Sequence, residues 1–292
     1  MNIAVLGNEG SWYVTELQRA AHQRGHSCER ADFCQLSASV FRETTDIQSE
    51  GMDLHRVDAA IVRTMPPGSL EQVVFRMDVL QRLHHRGTLV MNPPKAIEAA
   101  VDKFLTTSLI ASKGLPTPRT VVCETSEAAL KAFDQLRGDV VVKPLFGAEG
   151  RGILRVSDPD LAFRTFRTLE RTHAVLYLQE VIAHPGFDIR VLVLNGSVLG
   201  AIQRHNPDDF RTNVARNGQA RVHVPTDLEC RLAIEAAEAV GACFAGVDLL
   251  YDSAGTCYVI EVNAVPGWQA FQRVTGIDVA RIVIQYLENE RK

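Results

Sequence analysis

The chain has 292 residues, 46% of them hydrophobic and 23% charged, with a formal net charge of −4. That is enough apolar chain for a full core and two or three lobes, and the mild acidity excludes a general binder of nucleic-acid backbones. No apolar run approaches the roughly 18 residues a membrane helix needs, so neither nucleic acid nor membrane is expected as a partner.

Residues 2–7 read as a buried parallel strand ending at a glycine. Ser11 could cap a helix running to about Arg24. Strands are expected near 27–32, 57–63 and 88–91, with Met65-Pro-Pro-Gly68 as a breaker and a helix over 69–86. This alternation predicts a small doubly wound lobe with a parallel sheet over 1–93. Asn8, Glu9 and Gly10 do not complete a G-x-G-x-x-G fingerprint, which weighs against a dinucleotide oxidoreductase. Residues 95–113 read as one helix stopped by Gly114, and Pro116 and Pro118 then extend the chain into a strand over 120–123. A helix over 126–136, strands over 139–143 and 152–156, a helix over 158–172 and a strand over 174–180 follow. Asn195-Gly196 marks a hairpin between 188–194 and 197–204. A polar loop fills 205–219, a helix covers 227–241, a second hairpin turns at Asp252-Ser-Ala-Gly255, and an amphipathic helix closes the chain over 277–290.

The six cysteines (Cys28, Cys34, Cys123, Cys230, Cys243 and Cys257) form no C-x-x-C pair and read as free thiols of a reducing compartment. The N-terminus opens on a strand rather than a charged-then-apolar leader. A cytoplasmic setting is the expectation.

Chemistry concentrates in the last two thirds. Gly246-Val-Asp248 and Glu261-Val-Asn263 place three hard oxygen donors on two hairpin strands. Glu261 and Asn263, two apart, face one side, and Asp248 can join them from the neighbouring strand. Such a set, without His or Cys, suits Mg²⁺. Lys143 lies where a strand runs into Phe146-Gly-Ala-Glu-Gly-Arg-Gly-Ile153. Gly147, Gly150 and Gly152 let backbone N–H groups approach phosphate oxygens, although the spacing is not that of a Walker-type loop. Lys103 stands within a predicted helix and Glu180 at a strand end, where a carboxylate can meet adenine or ribose. Asp188, Arg190 and Arg204 fall on one hairpin, as cross-strand ion pairs or as a cationic wall for phosphate or carboxylate. Arg211 and Asn213 sit in the long polar loop, which is a candidate lid.

Taken in order, these features resemble the ATP-grasp fold, and within it the RimK-like carboxylate–amine ligases. The motifs are Asp102-Lys103, Gly114-Leu-Pro-Thr-Pro118, the strand and glycine loop at 141–153, Gln179-Glu180, Asp188-Ile-Arg190, Phe210-Arg-Thr-Asn213, Gly246-Val-Asp248 and Glu261-Val-Asn263. The resemblance implies an α/β protein with an N-terminal doubly wound lobe (1–93) and two α+β lobes (94–178 and 179–292) holding ATP between them. It implies that Lys103 and Lys143 hold nucleotide phosphates, that the glycine loop closes over them, and that Gln179, Glu180 and Val181 read adenine and ribose. Asp188 joins the nucleotide-binding set. Asp248, Glu261 and Asn263 would bind two Mg²⁺ ions, with Mn²⁺ as a substitute and Glu261 as the bridge. Arg190, Arg204, Arg211 and Asn213 would stabilise the transferred phosphoryl group and the acyl phosphate.

The implied reaction adds an amino acid, L-glutamate first among candidates, to the carboxylate of a cofactor, peptide or protein, in a homo-oligomeric enzyme. Alternatives are an amino-acid ligase acting on a carrier protein in lysine or arginine biosynthesis, or a non-catalytic ATP-binding regulator. Ala148, Arg216-Asn217-Gly218 and Ala264-Val-Pro-Gly267 depart from the family pattern and bear on acceptor choice. Trp12, Tyr13, Trp268 and Phe271 lean toward a ring-bearing small molecule.

Overall fold

A computed structural model describes residues 1–147, 151–206 and 219–291. In chain order the elements are β1 (Asn2–Leu6), α1 (Trp12–Gln23), β2 (Ser27–Ala31), β3 (Leu36–Phe41), β4 (Thr44–Ser49), β5 (Met52–Asp53), β6 (Ala59–Val62), α2 (Leu70–His85) and β7 (Leu89–Met91). Next come α3 (Pro94–Val101), α4 (Lys103–Ser112), β8 (Thr120–Cys123), α5 (Ser126–Gln135), β9 (Val140–Lys143), β10 (Leu154–Val156), α6 (Pro159–Arg171) and β11 (Leu176–Glu180). The chain continues through β12 (Phe187–Leu194), β13 (Ser197–His205), β14 (Gln219–His223), α7 (Asp227–Ala239), β15 (Phe244–Tyr251), β16 (Cys257–Asn263), α8 (Gln269–Thr275) and α9 (Val279–Glu290). No helix among the described residues is long and apolar enough to cross a membrane.

Two compact units result: Met1–Ile97 together with the segment from Val265 onward, and Glu98–Ala264. Residues 265–291, which the sequence reading groups with a lobe over 179–292, therefore count with the first unit.

The first unit is built on a parallel sheet of order β2-β1-β6-β7. β6 is buried along its whole length and β1 from Ile3 on, because helices cover both faces. Ala4 and Leu6 pack with Met77, Leu80 and Leu83 of α2. Ile3 and Val5, out of phase by one residue, are buried on the opposite face. Between β2 and β6 the chain inserts a three-stranded antiparallel sheet, β3-β4-β5, that the sequence reading does not foresee. Its strands bury little (Ile47 and Ser49 on β4), so the alternation that betrays a strand is missing from β3.

The second unit carries two antiparallel sheets, β10-β9-β11-β8 and β14-β13-β12-β15-β16. On the first, Val140, Val142, Leu176 and Leu178 pack against Phe133 of α5 and Phe166 of α6. Period-two alternation then sends Lys143, Tyr177 and Gln179 to the other face, with Tyr177 directly opposite Lys143. The single helix expected over 95–113 is two helices. Asp102 breaks it with extended torsions and accepts a hydrogen bond from Leu105 N–H, capping α4.

Candidate active site

The break at Asp102 decides where Lys103 goes. As the first residue of α4, Lys103 donates its backbone N–H to the Leu145 carbonyl at 3.4 Å and its ammonium to the Gly147 carbonyl at 2.9 Å. The chain entering the glycine loop is therefore tied to this lysine at two points. One turn on, Thr107 hydrogen-bonds the Tyr177 hydroxyl at 2.7 Å. Lys143 donates to Gln179 Oε1 at 2.7 Å, and Gln179 Nε2 donates to Thr120 Oγ1 at 3.0 Å and to the Tyr177 hydroxyl at 3.1 Å.

Lys103, Lys143, Thr107, Tyr177, Ile260 and Glu261 line a cavity of about 30 Å³. Burial pushes the Lys143 ammonium down to about 8, with Lys103 adding to the depression and the Glu261 and Asp248 carboxylates opposing it. Burial also lowers Lys103, against the pull of Glu261 and Asp102. Glu261 accepts no hydrogen bond and joins no ion pair among the described residues. The cavity thus holds two cations that the protein itself does not fully neutralise, a state that favours an anionic visitor.

A second charge set lies across the β13–β12–β15 strands. Register places Asp188 opposite Arg204, Arg190 opposite Asp248, and Asp248 opposite Glu261. Arg190 meets Asp248 with two parallel bonds of 2.6 and 2.7 Å. Arg204 meets Asp188 with bonds of 2.7 and 2.5 Å, and a further 2.9 Å contact links it to Asp248. Asp188, Arg204 and Asp248 are at most 9% exposed, so this is a buried ladder of fork-shaped pairs. Burial works against the Asp248 carboxylate, but Arg190 and Arg204 outweigh it and hold the group down at about 2. Of the two sequence readings of this hairpin, cross-strand ion pairs are what the structure holds, with the partners reaching to a third strand.

The remaining expected residues are placed as follows. Gln179 is 3% exposed and lies behind Lys143, where its side chain positions the ammonium. Glu180 Oε1 accepts from Arg119 N–H at 2.7 Å, and Val181 follows it, half-buried. Gly152 adopts φ +73°, and a Cβ there would meet Pro144 Cγ at 2.8 Å, so the loop's return past Pro144 requires glycine. Gly147 is exposed and supplies the carbonyl that holds Lys103. Gly150, Arg211 and Asn213 lie outside the described residues. Trp268 and Phe271, each 1% exposed, are core residues of the first unit and offer no wall to a flat ligand. Sequence reasoning misses Thr107, Thr120 and Tyr177; only the phase of a helix starting at Lys103 would have put Thr107 beside it.

The donor chemistry fits a divalent cation with a nucleotide. Two carboxylates, Asp248 and Glu261, and the Asn263 amide stand on paired strands, and oxygen-only sets suit Mg²⁺. Among the described residues there is no cluster of three His, Cys, Asp or Glu side chains, which weighs against a transition-metal centre.

Comparison with known proteins agrees. Residues 1–97 match the RimK PreATP-grasp domain and residues 100–287 the RimK-like ATP-grasp domain. A tetrahydromethanopterin:alpha-L-glutamate ligase of Methanosarcina acetivorans is 32% identical, over 99% of this chain and 98% of its own length. A ribosomal protein bS6–L-glutamate ligase of Escherichia coli is also 32% identical, over 99% and 96%. Among solved structures, the ATP-grasp ligase PsnB with its minimal precursor superposes with a TM-score of 0.78 at 22% identity, covering 99% of each chain. A RimK domain protein of Sphaerobacter thermophilus gives 0.76 at 22%, over 98% of this chain and 99% of its own, and these two likenesses speak for the fold. The chain belongs to the RimK-like ATP-grasp family of ATP-dependent carboxylate–amine ligases.

Proposed function

We propose that this enzyme joins the amino group of L-glutamate to a carboxylate on a small-molecule or peptide acceptor. The observation that supports it most is the convergence of Lys103, Lys143 and Glu261 on one cavity, one strand from Asp248. The two glutamate-ligating relatives support glutamate as the donor.

A carboxylate is a poor electrophile at neutral pH. Attack of an acceptor oxygen on the γ-phosphoryl of ATP releases ADP and leaves an acyl phosphate. The neutral amine then attacks the acyl carbon, the C–O bond breaks, phosphate departs, and the amine's surplus proton goes to solvent. The protein's work is orientation and charge neutralisation. Lys103 and Lys143 hold phosphate oxygens. Gln179, Glu180 and Val181 form the adenine and ribose edge, with Gln179 aiming Lys143. Asp248, Glu261 and Asn263 would hold Mg²⁺, as two ions, and Mg²⁺ when bound would offset the charge gathered on the phosphates. Arg190 and Arg204, with Arg211 and Asn213, stabilise the transferred phosphoryl and acyl groups. Closure of the Gly147, Gly150 and Gly152 loop keeps water from the acyl phosphate. Asp188 belongs to the nucleotide-binding set and pairs with Arg204. The same reading includes two lobes holding ATP between them, one over 94–178 and one from 179 to the end of the second unit, a homo-oligomeric assembly and a cytoplasmic setting.

The test supplies ATP, Mg²⁺ and L-glutamate with a panel of carboxylate acceptors, follows phosphate release and weighs the products. Glutamate-dependent release with a matching mass gain on one acceptor is the expected result. Mass gain from another amino acid, or acceptor-independent ATP binding with no release across pterin, peptide and carrier-protein acceptors, overturns it.

A further inference from the structure

The first unit contains a buried cation with no use in the reaction above. Arg63 follows β6 at the carboxyl edge of the parallel sheet and is 6% exposed. Its backbone N–H donates to the Leu6 carbonyl at 2.8 Å, and its Cβ stands 3.4 Å from where a Cβ on Gly7 would be, so the side chain rises beside the turn that joins β1 to α1. The guanidinium packs against two rings that meet edge to face, with its carbon 4.6 Å from the Tyr13 centroid and 4.2 Å from that of Trp268, the two centroids being 4.9 Å apart. Of its five N–H donors, one is spent on the Pro266 carbonyl at 2.7 Å. Nε is buried with no partner, and no carboxylate forms an ion pair with Arg63 among the described residues.

Burial lowers this group to about 10, far below an ordinary arginine. Aromatic rings recover part of the desolvation penalty, but they accept no hydrogen bond from Nε, which stays unsatisfied. Every other arginine this deeply held among the described residues is treated differently: Arg204 has two carboxylates, and Arg76 has the Pro66 carbonyl and the Cys34 sulfur. A second positive element stands in the same place. α1 is a 12-residue helix whose N-cap, Ser11, makes no side-chain cap, and its first turn contains no acid. Tyr13, which stacks on Arg63, is the second residue of that turn. The uncapped N–H groups and the helix dipole add to the guanidinium's field. The site lies outside the carboxyl ends of parallel strands, the crevice in which open α/β sheets bind ligands.

We propose that the hydrogen-bonding edge of Arg63 and the N-terminus of α1 form a carboxylate-binding subsite in the first unit. A planar carboxylate matches the guanidinium fork. The ligand class is an organic carboxylate of substrate size, from either the incoming amino acid or the acceptor; that identification alone rests on the ligase reading.

The test observes Arg63 directly. Its buried, ring-stacked Nε–H gives a distinctive resonance in ¹⁵N-labelled enzyme, assigned by its disappearance in Arg63→Lys. The wild-type enzyme is titrated with L-glutamate, with N-acetyl-L-glutamate (which keeps the carboxylates and blocks the amine), and with sodium chloride at matched ionic strength. A saturable shift with L-glutamate alone assigns the donor. A shift with N-acetyl-L-glutamate assigns the acceptor's carboxylate, and chloride is expected to be silent. In calorimetry, Arg63→Lys is expected to weaken the responding carboxylate about ten- to hundredfold, as loss of a charged bidentate contact would, with ATP binding unchanged. No saturable shift with either carboxylate, or equal affinity in Arg63→Lys, overturns the proposal. Because the readout is binding, it can fail while ligation is observed, and ligation can fail while it holds.

Discussion

The two charge sets of the second unit solve opposite problems. In the ladder of Asp188, Arg204, Asp248 and Arg190, every cation has a carboxylate at hydrogen-bond distance and the set is closed. Around Lys103, Lys143 and Glu261 the charges feel each other without pairing, and both ammonium groups lose proton affinity. A closed ladder is a structural object: removing a member strands its partners. An open set is a binding object: removing one of its lysines relieves repulsion in the fold and damages what visits. Asp248 is held by Arg190 and Arg204; on the reading proposed above, a cation that took its oxygens would free the two arginines for substrate.

Breaking the ladder should give the largest effect on the fold. Asp248→Ala leaves the half-buried Arg190 guanidinium without its carboxylate and Arg204 with Asp188 alone, and should lower the unfolding free energy by about 3 kcal/mol, read as a fall in the urea midpoint. Unchanged stability would mean that the ladder opens to solvent. Breaking the open set should do the reverse. Lys143→Met should reduce kcat/KM for ATP at least about a hundredfold, or about 2.7 kcal/mol, while the urea midpoint stays or rises. A destabilised Lys143→Met protein would refute the division drawn here. Gln179→Leu should sit between them, with KM for ATP raised about tenfold as Lys143 loses its guide.

The pH dependence sharpens the comparison further. Lys143 titrates near 8 in the folded protein and near 10.5 when unfolded. Between those values the unfolded chain binds the additional proton, so this group makes the fold more stable as pH rises through that window. Phosphate binding wants the ammonium, so KM for ATP should climb over the same range. Stability and affinity moving in opposite directions, both flattened in Lys143→Met, is the expected signature. The smallest effect belongs to a solvent-screened pair of the first unit. Arg24, with His26, holds Glu288 down at about 2, so its contribution is present above about 4.5 and fades as pH falls toward 2. Glu288→Gln should change stability by less than about 1 kcal/mol.

Much of this was legible in the sequence where burial forces a pattern. β1, β6, β9 and β11 announce themselves as apolar runs, and Lys143 stands out because it ends one. Glu261 and Asn263 stand out because they interrupt another. The insertion β3-β4-β5 was not legible, since β3 buries no residue and β4 buries only Ile47 and Ser49, too short an alternation to stand out. Nor was the break at Asp102, where an aspartate inside an apolar periodicity reads as a surface residue until its side chain is seen to cap Leu105 N–H. The ladder was half legible: Asp188, Arg190 and Arg204 invite pairing, but register alone decides that Arg190 takes Asp248.

Asp102 has a consequence for how this enzyme can change length. A continuous helix over 95–113 would aim Lys103 by counting residues from its start, and each insertion would swing it by about 100°. With its own cap, α4 takes its azimuth from Asp102 and from the Lys103–Leu145 bond. Insertions and deletions within α3 therefore leave Lys103 aimed at Gly147, whereas one residue added between 102 and 107 would separate Lys103 from Thr107. Indels among relatives should collect ahead of Asp102 and stop there.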